Sequence, residues 1–146
     1  MKIAVSACLL GENCKYNGGN NYSFSLVKIL ENYQVIPICP EVLGGLPTPR
    51  DPAEIVKGLV STKNGRSVDK EFRRGAEKAL DLVERFGADL VVLQSRSPSC
   101  GVGKIYDGSF SGDLVDGDGI FVKRLKEEGI RALDVEEFLK ICQKFS

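Results

Sequence analysis

The sequence predicts an α/β fold: a single-domain three-layer sandwich over residues 1–146, with a mainly parallel four-stranded, Rossmann-like sheet. Three observations lead to this prediction. Short β-branched runs alternate with amphipathic helical segments, an order typical of a parallel sheet with helices on both faces. The run "ADLVVLQ" is apolar on both faces, as central parallel strands are. A length of 146 residues suits one domain.

The first part of the chain predicts two strands and one helix. "KIAVSA" is a β-branched run and predicts the first strand. After a loop rich in glycine and asparagine, Ser25 is a candidate helix cap, and Leu26, Leu30 and Tyr33 follow it at helical spacing. "QVIPIC" predicts the second strand, and Pro37 inside it indicates an edge position or a bulge.

A long connection, residues 39–67, follows the second strand. Its length inside a compact domain indicates a functional segment or a lid, and the pair Asn64-Gly65 indicates a hairpin turn. The clearest helix covers about residues 69–86, because its apolar residues form one stripe and Gly87 stands where a C-terminal glycine belongs.

The last third predicts two strands and two helices. "ADLVVLQ" is the third strand, and the six glycines of residues 101–119 indicate an ordered loop. Asp118 is a candidate cap for a helix that ends at Gly129, and "IRAL" predicts the fourth strand. Asp134 and Glu137 form a pair similar to a capping box, which predicts the final helix.

Composition excludes several classes of function. Lys plus Arg and Asp plus Glu each total 20, so no net field favours nucleic acid, and no run approaches the roughly 20 apolar residues of a membrane span. Five cysteines, an odd number at wide spacing, without a secretion signal, argue against a disulfide framework and favour a cytoplasmic protein. Because histidine is absent, catalysis must use carboxylates, hydroxyls, lysine, thiolates or a metal.

Three cysteines follow three predicted strands: Cys8, Cys39 and Cys100. Because ligands of open α/β sheets bind outside the carboxyl ends of strands, we expect these thiols to meet in one crevice, where they suit a soft metal centre. Zinc would take Cys14 as a fourth ligand, whereas an iron–sulfur cluster with three cysteines would leave one iron open. Cys142 shares a helical face with apolar residues and is predicted to be a core residue.

Four other residues are candidates for chemistry in the same crevice. Glu41, two positions after a cysteine, is a candidate general base, although an acid near a helix N-terminus is also ordinary. Ser97 and Ser99 flank a proline and are candidate hydrogen-bond donors to a cluster or a substrate. Arg50 stands in the rigid stretch "LPTPRDP", which suits either a polar substrate or a structural ion pair.

The blocks "VSACLLGENCKYNG", "CPEVLGGLPTPRDPAEI", "SPSCG" and "IYDGSFSG" closely resemble the thiouracil desulfurase (TudS) family, formerly a domain of unknown function. The resemblance covers about the first 115 residues. It implies a [4Fe-4S] cluster held by Cys8, Cys39 and Cys100, with an open iron as Lewis acid, and non-redox removal of sulfur from a thiolated nucleobase such as 2-thiouracil. It further implies Glu41 as acid/base and Ser97 as its hydrogen-bonding neighbour.

Two alternatives remain open beside the desulfurase. The first is a structural zinc or iron–sulfur module, and the second is a sulfur carrier or transferase that passes sulfide onward. The expected partner is a small thiolated substrate, with neither nucleic acid nor membrane, and the sequence leaves the oligomeric state undetermined.

Overall fold

The central sheet has four parallel strands, as the sequence predicts. The computed structural model describes residues 1–144. The strands are β1 (Lys2–Ser6), β2 (Gln34–Ile38), β3 (Ala53–Val56), β4 (Leu59–Thr62), β5 (Leu90–Leu93), β6 (Lys104–Tyr106), β7 (Leu114–Asp116) and β8 (Ala132–Asp134). The helices are α1 (Phe24–Leu30), α2 (Pro40–Leu43), α3 (Asp69–Phe86), α4 (Ile120–Glu127) and α5 (Val135–Lys144).

The sheet order is β2-β1-β5-β8, with every neighbouring pair parallel. Pro37 therefore lies on an edge strand, where its missing N–H removes no bond from the interior of the sheet, and the edge prediction is confirmed. The strands β1 and β5 occupy the centre, which explains why their residues are buried on both faces.

Alternate residues of the central strands divide the core into two halves. One face carries Ala4, Val91 and Leu93, which pack in the cluster that contains α3 and α4. The other carries Ile3, Val5, Leu90 and Val92, which pack with residues of α1 and α5. The period of two along each strand thus produces the predicted three layers. The single-domain boundary at residues 1–146 stays a prediction, and residues 145–146 lie outside the described part.

The helices α2 and α3 touch through glycines. A Cβ on Gly75 would stand 1.8 Å from the carbonyl oxygen of Pro40, and one on Gly44 would stand 1.9 Å from that of Glu71. No side chain fits either position, so the two backbones approach directly. This contact fixes where α2 begins, and Cys39 lies at that N-terminus.

The long connections contain the predicted hairpin turn and two hairpins that the sequence does not predict. The strands β3 and β4 pair antiparallel across Lys57 and Gly58. The Asn64-Gly65 pair makes the next hairpin turn, as predicted, because the N–H of Gly65 donates to the carbonyl of Thr62 and an antiparallel bridge joins Ser61 to Ser67. The predicted loop at 101–119 contains the antiparallel pair β6–β7. Strands of three residues are too short to show an alternating pattern.

Two predicted helix caps are wrong, each by one or two residues. Ser23, not Ser25, caps α1, because its Oγ accepts from the N–H of Leu26. Gly119 precedes α4, while the Asp118 carboxylate accepts from the N–H of Gly103 and from Lys126. Several serines or acids near a helix start offer competing caps, and tertiary contacts select among them.

One further helix prediction is wrong, because α1 ends at Leu30 and Tyr33 lies beyond it, 37% exposed, whereas the other helical segments agree with the structure. α3 runs from Asp69 to Phe86, and Gly87 closes it in the left-handed conformation. Cys142 is half-buried and packs against the apolar cluster on the α1 and α5 side. Within the described residues, no helix has the length and apolar character needed to cross a bilayer.

Candidate functional site

Three parallel strands deliver three cysteines to one cavity. Cys8 lies in a short 3-10 helix directly after β1, Cys39 precedes the first residue of α2 after β2, and Cys100 lies in the turn that follows β5. All three line a cavity of about 490 Å³ at the carboxyl edge of the sheet. Because β2, β1 and β5 are adjacent and parallel, their ends meet at the same edge.

A fourth thiol, Cys14, lines the same cavity. Its interaction with Cys8 lowers the pKa of Cys8 to about 7 against the opposing effect of burial, and the side-chain amide of Asn21 assists by donating to the Cys8 Sγ at 3.4 Å. Interaction with Cys14 also lowers the pKa of Cys39. The same contacts raise the pKa of Cys14. One proton therefore stays on Cys14 while its two neighbours are disposed to be thiolates, the form that binds metal.

Cys100 has a different environment. Burial raises the pKa of its thiol to about 12, and the Ser99 hydroxyl partly opposes this increase. Its backbone N–H donates to the Oγ of Ser97 at 2.8 Å. Two N–H groups at the start of α4 donate to the carbonyls of Pro98 and Ser99, at 2.7 and 3.1 Å. The loop is thereby held at fixed distance from the sheet, and a metal would have to displace the Cys100 proton.

Glu41 lines the same cavity as these thiols, and both of its carboxylate oxygens accept hydrogen bonds. Its Oε2 accepts from the Ser99 hydroxyl at 2.7 Å, and its Oε1 accepts from the Arg50 Nε at 3.2 Å. The Oγ atoms of Ser97 and Ser99 are 3.3 Å apart. The Ser99 hydroxyl also lies 3.5 Å from the Cys100 Sγ, but its contact with the Glu41 carboxylate is shorter and assigns its proton to Glu41. Ser97 is then the donor of the serine pair. The hydroxyls therefore form a directed chain from Ser97 through Ser99 to the carboxylate.

Arg50 lines the cavity, and most of its donors bind other parts of the protein. Its guanidinium bonds to Glu41, and it also donates to the carbonyls of Cys14 and Pro47 and to the Oγ1 of Thr48. Only 7% of its side chain is exposed. Four of the five guanidinium N–H groups make these hydrogen bonds, and Nη2 also lies 3.1 Å from the Glu41 Oε1 in the ion pair. Arg50 thus joins the Cys14 loop to the Glu41 helix.

The sequence analysis missed two residues near the thiols. Asn21 donates to a cysteine sulfur, and the Ser6 hydroxyl accepts from the N–H of Gln94 at 3.0 Å, which joins the ends of β1 and β5. The Asn-rich stretch around residue 20 predicts only a loop, because nothing in its spacing indicates which asparagine turns inward. Ser6 is buried at the end of a strand and carries no motif.

The donor set suits an iron–sulfur group. Thiolate sulfur is the ligand of zinc and iron–sulfur sites, and the chain has no histidine to offer instead. Among residues 1–144, no three His, Cys, Asp or Glu side chains already stand close enough to hold a single metal ion. Cys8, Cys39 and Cys100 instead line one cavity of about 490 Å³, a volume greater than a single metal ion occupies.

The sequence model of the 2-thiouracil desulfurase family matches residues 3–137. The chain belongs to this family. Among solved structures, it is similar to the [4Fe-4S]-dependent thiouracil desulfidase TudS, with a TM-score of 0.88 and 40% identity over 99% of each chain. That match also confirms the predicted fold class.

This desulfurase-family chain is also 38% identical to the uncharacterized protein YbbK of Bacillus subtilis (strain 168) over 145 residues. The match covers 92% of this chain and 96% of the relative. Both proteins are therefore matched over nearly their whole lengths.

Proposed function

We propose that this protein removes sulfur from a small thiolated nucleobase such as 2-thiouracil, in a reaction without net oxidation or reduction. Water supplies the oxygen that replaces sulfur on the ring, so that 2-thiouracil and water give uracil and hydrogen sulfide. The observation that supports this most strongly is the convergence of three strand-end cysteines and a hydrogen-bonded glutamate on one cavity.

We further propose that Cys8, Cys39 and Cys100 hold a [4Fe-4S] cluster. When bound, such a cluster supplies an iron without a protein ligand, which acts as a Lewis acid toward the substrate sulfur. Cys14 belongs to a loop, whereas the three proposed ligands follow strands of the sheet, and the strand ends fix their positions. We therefore assign Cys14 the role of hydrogen-bonding neighbour.

The residues of the chain move the proton that the reaction releases. Water that attacks the ring carbon must lose a proton, and the Ser97 hydroxyl stands at the cavity end of the directed chain. As Ser97 accepts that proton, it passes its own to Ser99, and Ser99 passes its own to Glu41. Glu41 is thus the general base, and it acts through two serines. In this scheme Arg50 positions Glu41 and Ser99 relays protons, and both residues line the cavity that takes the substrate.

The first experiment tests the metal. Reconstitution with iron and sulfide under argon is expected to give a broad brown absorbance, which is lost in the Cys8→Ala, Cys39→Ala and Cys100→Ala variants. The Cys142→Ala variant is the matched control and keeps the colour. A protein that instead binds one zinc ion through four thiolates would support the structural module and contradict the cluster.

The second experiment tests catalysis. The reconstituted protein is incubated with 2-thiouracil, and uracil and sulfide are measured separately. Equal amounts of both products support desulfuration, whereas uracil without free sulfide would indicate a sulfur transferase. Glu41→Gln keeps the size of the side chain and is expected to keep the colour while it lowers turnover by about 10²–10⁴, the contribution of a general base. Unchanged turnover would remove Glu41 from the mechanism.

The free state of all five cysteines agrees with a reducing compartment, and we place the protein in the cytoplasm. Its proposed partner is the small thiolated substrate alone.

A further inference from the structure

An aromatic side chain faces the candidate site from the β6–β7 hairpin. Phe110 is half-buried and lines the cavity together with the cysteines and Glu41. The hairpin is held at its base, where Lys104 pairs with Asp116 and where the N–H of Gly117 donates to the carbonyl of Gly103. The ring is therefore carried on a braced element.

The backbone of Phe110 has an unusual conformation. Its φ is +57°, in the left-handed region, which a residue with a side chain adopts only at a cost in free energy. Such strain persists only where surrounding contacts impose it, and it concentrates at functional positions. The apolar core gains little from this residue, because the ring stays partly exposed at the cavity.

A buried carboxylate imposes this conformation. The Oε1 of Glu54 accepts from the N–H of Gly108 at 3.0 Å and from the N–H of Phe110 at 3.1 Å. Glu54 is only 8% exposed, and 56 residues separate it from Phe110. Gly108 permits the close approach, since a Cβ there would stand 2.7 Å from the carbonyl oxygen of Ile55. A charged side chain is thus used to hold an aromatic residue in a strained turn above the cavity.

We propose that the Phe110 ring stacks on the flat face of the substrate heterocycle and so determines specificity for planar, thiolated rings. This inference rests on the proposed function. The cysteines, Glu41 and Ser97 supply the polar and sulfur-binding part of the cavity, and Phe110 supplies an apolar face beside them. A ring with one exocyclic sulfur presents both features: an aromatic face to stack and an edge that reacts. Glu54 is a positioning residue for the ring.

Stacking of a base on an aromatic side chain contributes about 1–3 kcal/mol by alanine substitution. Since about 1.4 kcal/mol is a factor of ten, Phe110→Ala is expected to raise the KM for 2-thiouracil by about 5- to 150-fold. The value of kcat is expected to change less than about threefold, because the ring contacts ground state and transition state alike. The matched control is Phe24→Ala, which removes an aromatic ring that is 69% exposed and does not line the cavity.

The positioning role of Glu54 has its own test. Glu54→Ala removes both acceptor bonds and is expected to raise KM in the same direction as Phe110→Ala, by a smaller factor. Glu54→Gln retains an acceptor oxygen and is expected to restore most of the affinity. If Glu54→Ala lowered only the melting temperature and left KM unchanged, its role would be structural and the positioning argument would fail.

A binding measurement separates this inference from the reaction. The chain contains no tryptophan, so Phe110→Trp places a single indole at the cavity, and Phe24→Trp places one at an exposed control position. Uracil is the probe, because it has the flat ring but no sulfur to remove. We expect saturable quenching of the indole emission in the Phe110→Trp variant and none in the control.

The possible outcomes are distinct. Quenching by uracil in a protein that does not convert 2-thiouracil would overturn the proposed reaction and support the stacking site. If the protein converts 2-thiouracil but Phe110→Ala leaves KM unchanged, the stacking site alone is overturned. The same holds if the protein converts 2-thiouracil but uracil does not quench the Phe110→Trp emission. Absence of both turnover and quenching would overturn both.

Discussion

The contact between α2 and α3 predicts that alanine at Gly75 lowers stability, although helix propensity alone predicts that it raises stability. Gly75 lies inside α3, where alanine is favoured over glycine by roughly 1 kcal/mol. In this fold, however, a Cβ at Gly75 would stand 1.8 Å from the carbonyl oxygen of Pro40, whereas real contacts stay above 3.0 Å. Gly75→Ala must therefore push the backbones apart by at least about 1.2 Å.

The displacement affects both stability and the site. Forcing an extra methyl group into a packed contact costs about 1–3 kcal/mol. Over most of this range, the cost exceeds the gain of roughly 1 kcal/mol from helix propensity. At about 2 kcal/mol, a domain of this size would melt roughly 4–8 °C lower. Pro40 also follows Cys39 and precedes Glu41, so a shift of α2 moves a proposed ligand and the proposed base together. A misplacement of about 1 Å can lower turnover by about 10²-fold.

The measurement compares melting temperature, iron content and turnover in Gly75→Ala with those in Lys78→Ala. Lys78 is an exposed residue on the same helix, so its replacement by alanine tests propensity without the contact. We expect Lys78→Ala to stay within about 0.5 kcal/mol of the parent protein. A Gly75→Ala variant that is more stable than the parent and equally active would refute the reasoning.

Three further predictions concern charges and thiols. Arg50→Ala leaves the Glu41 carboxylate without its cation and is expected to lower the free energy of unfolding by about 3 kcal/mol. This is the lower end for buried pairs, because the Glu41 side chain keeps 17% exposure. Chemical denaturation measures the loss, and a loss below about 1 kcal/mol would contradict the importance of the pair. Burial raises the pKa of Asp69, but hydrogen bonds from Arg73 and the Val60 N–H outweigh it and lower the pKa below its usual range. Its contribution is therefore fully present above the unfolded pKa of about 3.9 and is lost as the pH falls through the lowered folded pKa. Asp69→Asn should cost about 1 kcal/mol at pH 7 and progressively less as the solution becomes more acidic; a pH-independent difference would reject this. Cys14→Ala should retain the brown colour with altered pH dependence of assembly, and loss of iron would make Cys14 a ligand.

The sequence was sufficient for the sheet because its central strands are buried on both faces. A nearly continuous apolar run such as residues 88–94 has few alternatives, and a polar loop must follow it. Once the strand ends were known, the positions of Cys8, Cys39 and Cys100 followed from the geometry of parallel sheets. This part of the site depends on secondary structure alone.

The remaining contacts depend on which distant residues meet, and local patterns do not contain that information. The acid that pairs with Arg50 is Glu41, nine residues earlier, although Asp51 and Glu54 lie nearer to Arg50 in the sequence. Glu54 instead binds a turn more than fifty residues later. Cys14 reaches Cys8 and Cys39 only because its loop folds back across the sheet edge. Tertiary packing selects among equally plausible local partners in each case.

The hydrogen bonds around the cavity have a consequence for the order of events in the cell. Glu41 and Ser99 are 58 residues apart, and Ser6 and Gln94 are 88 residues apart, so the wall of the cavity closes only after β5 has joined β1. Contacts of such long range form late, because the loops between them must be ordered first. A growing chain therefore presents scattered thiols rather than a binding site. Delivery of iron and sulfide has to follow folding, and the quality of the folded chain controls how much of it becomes loaded.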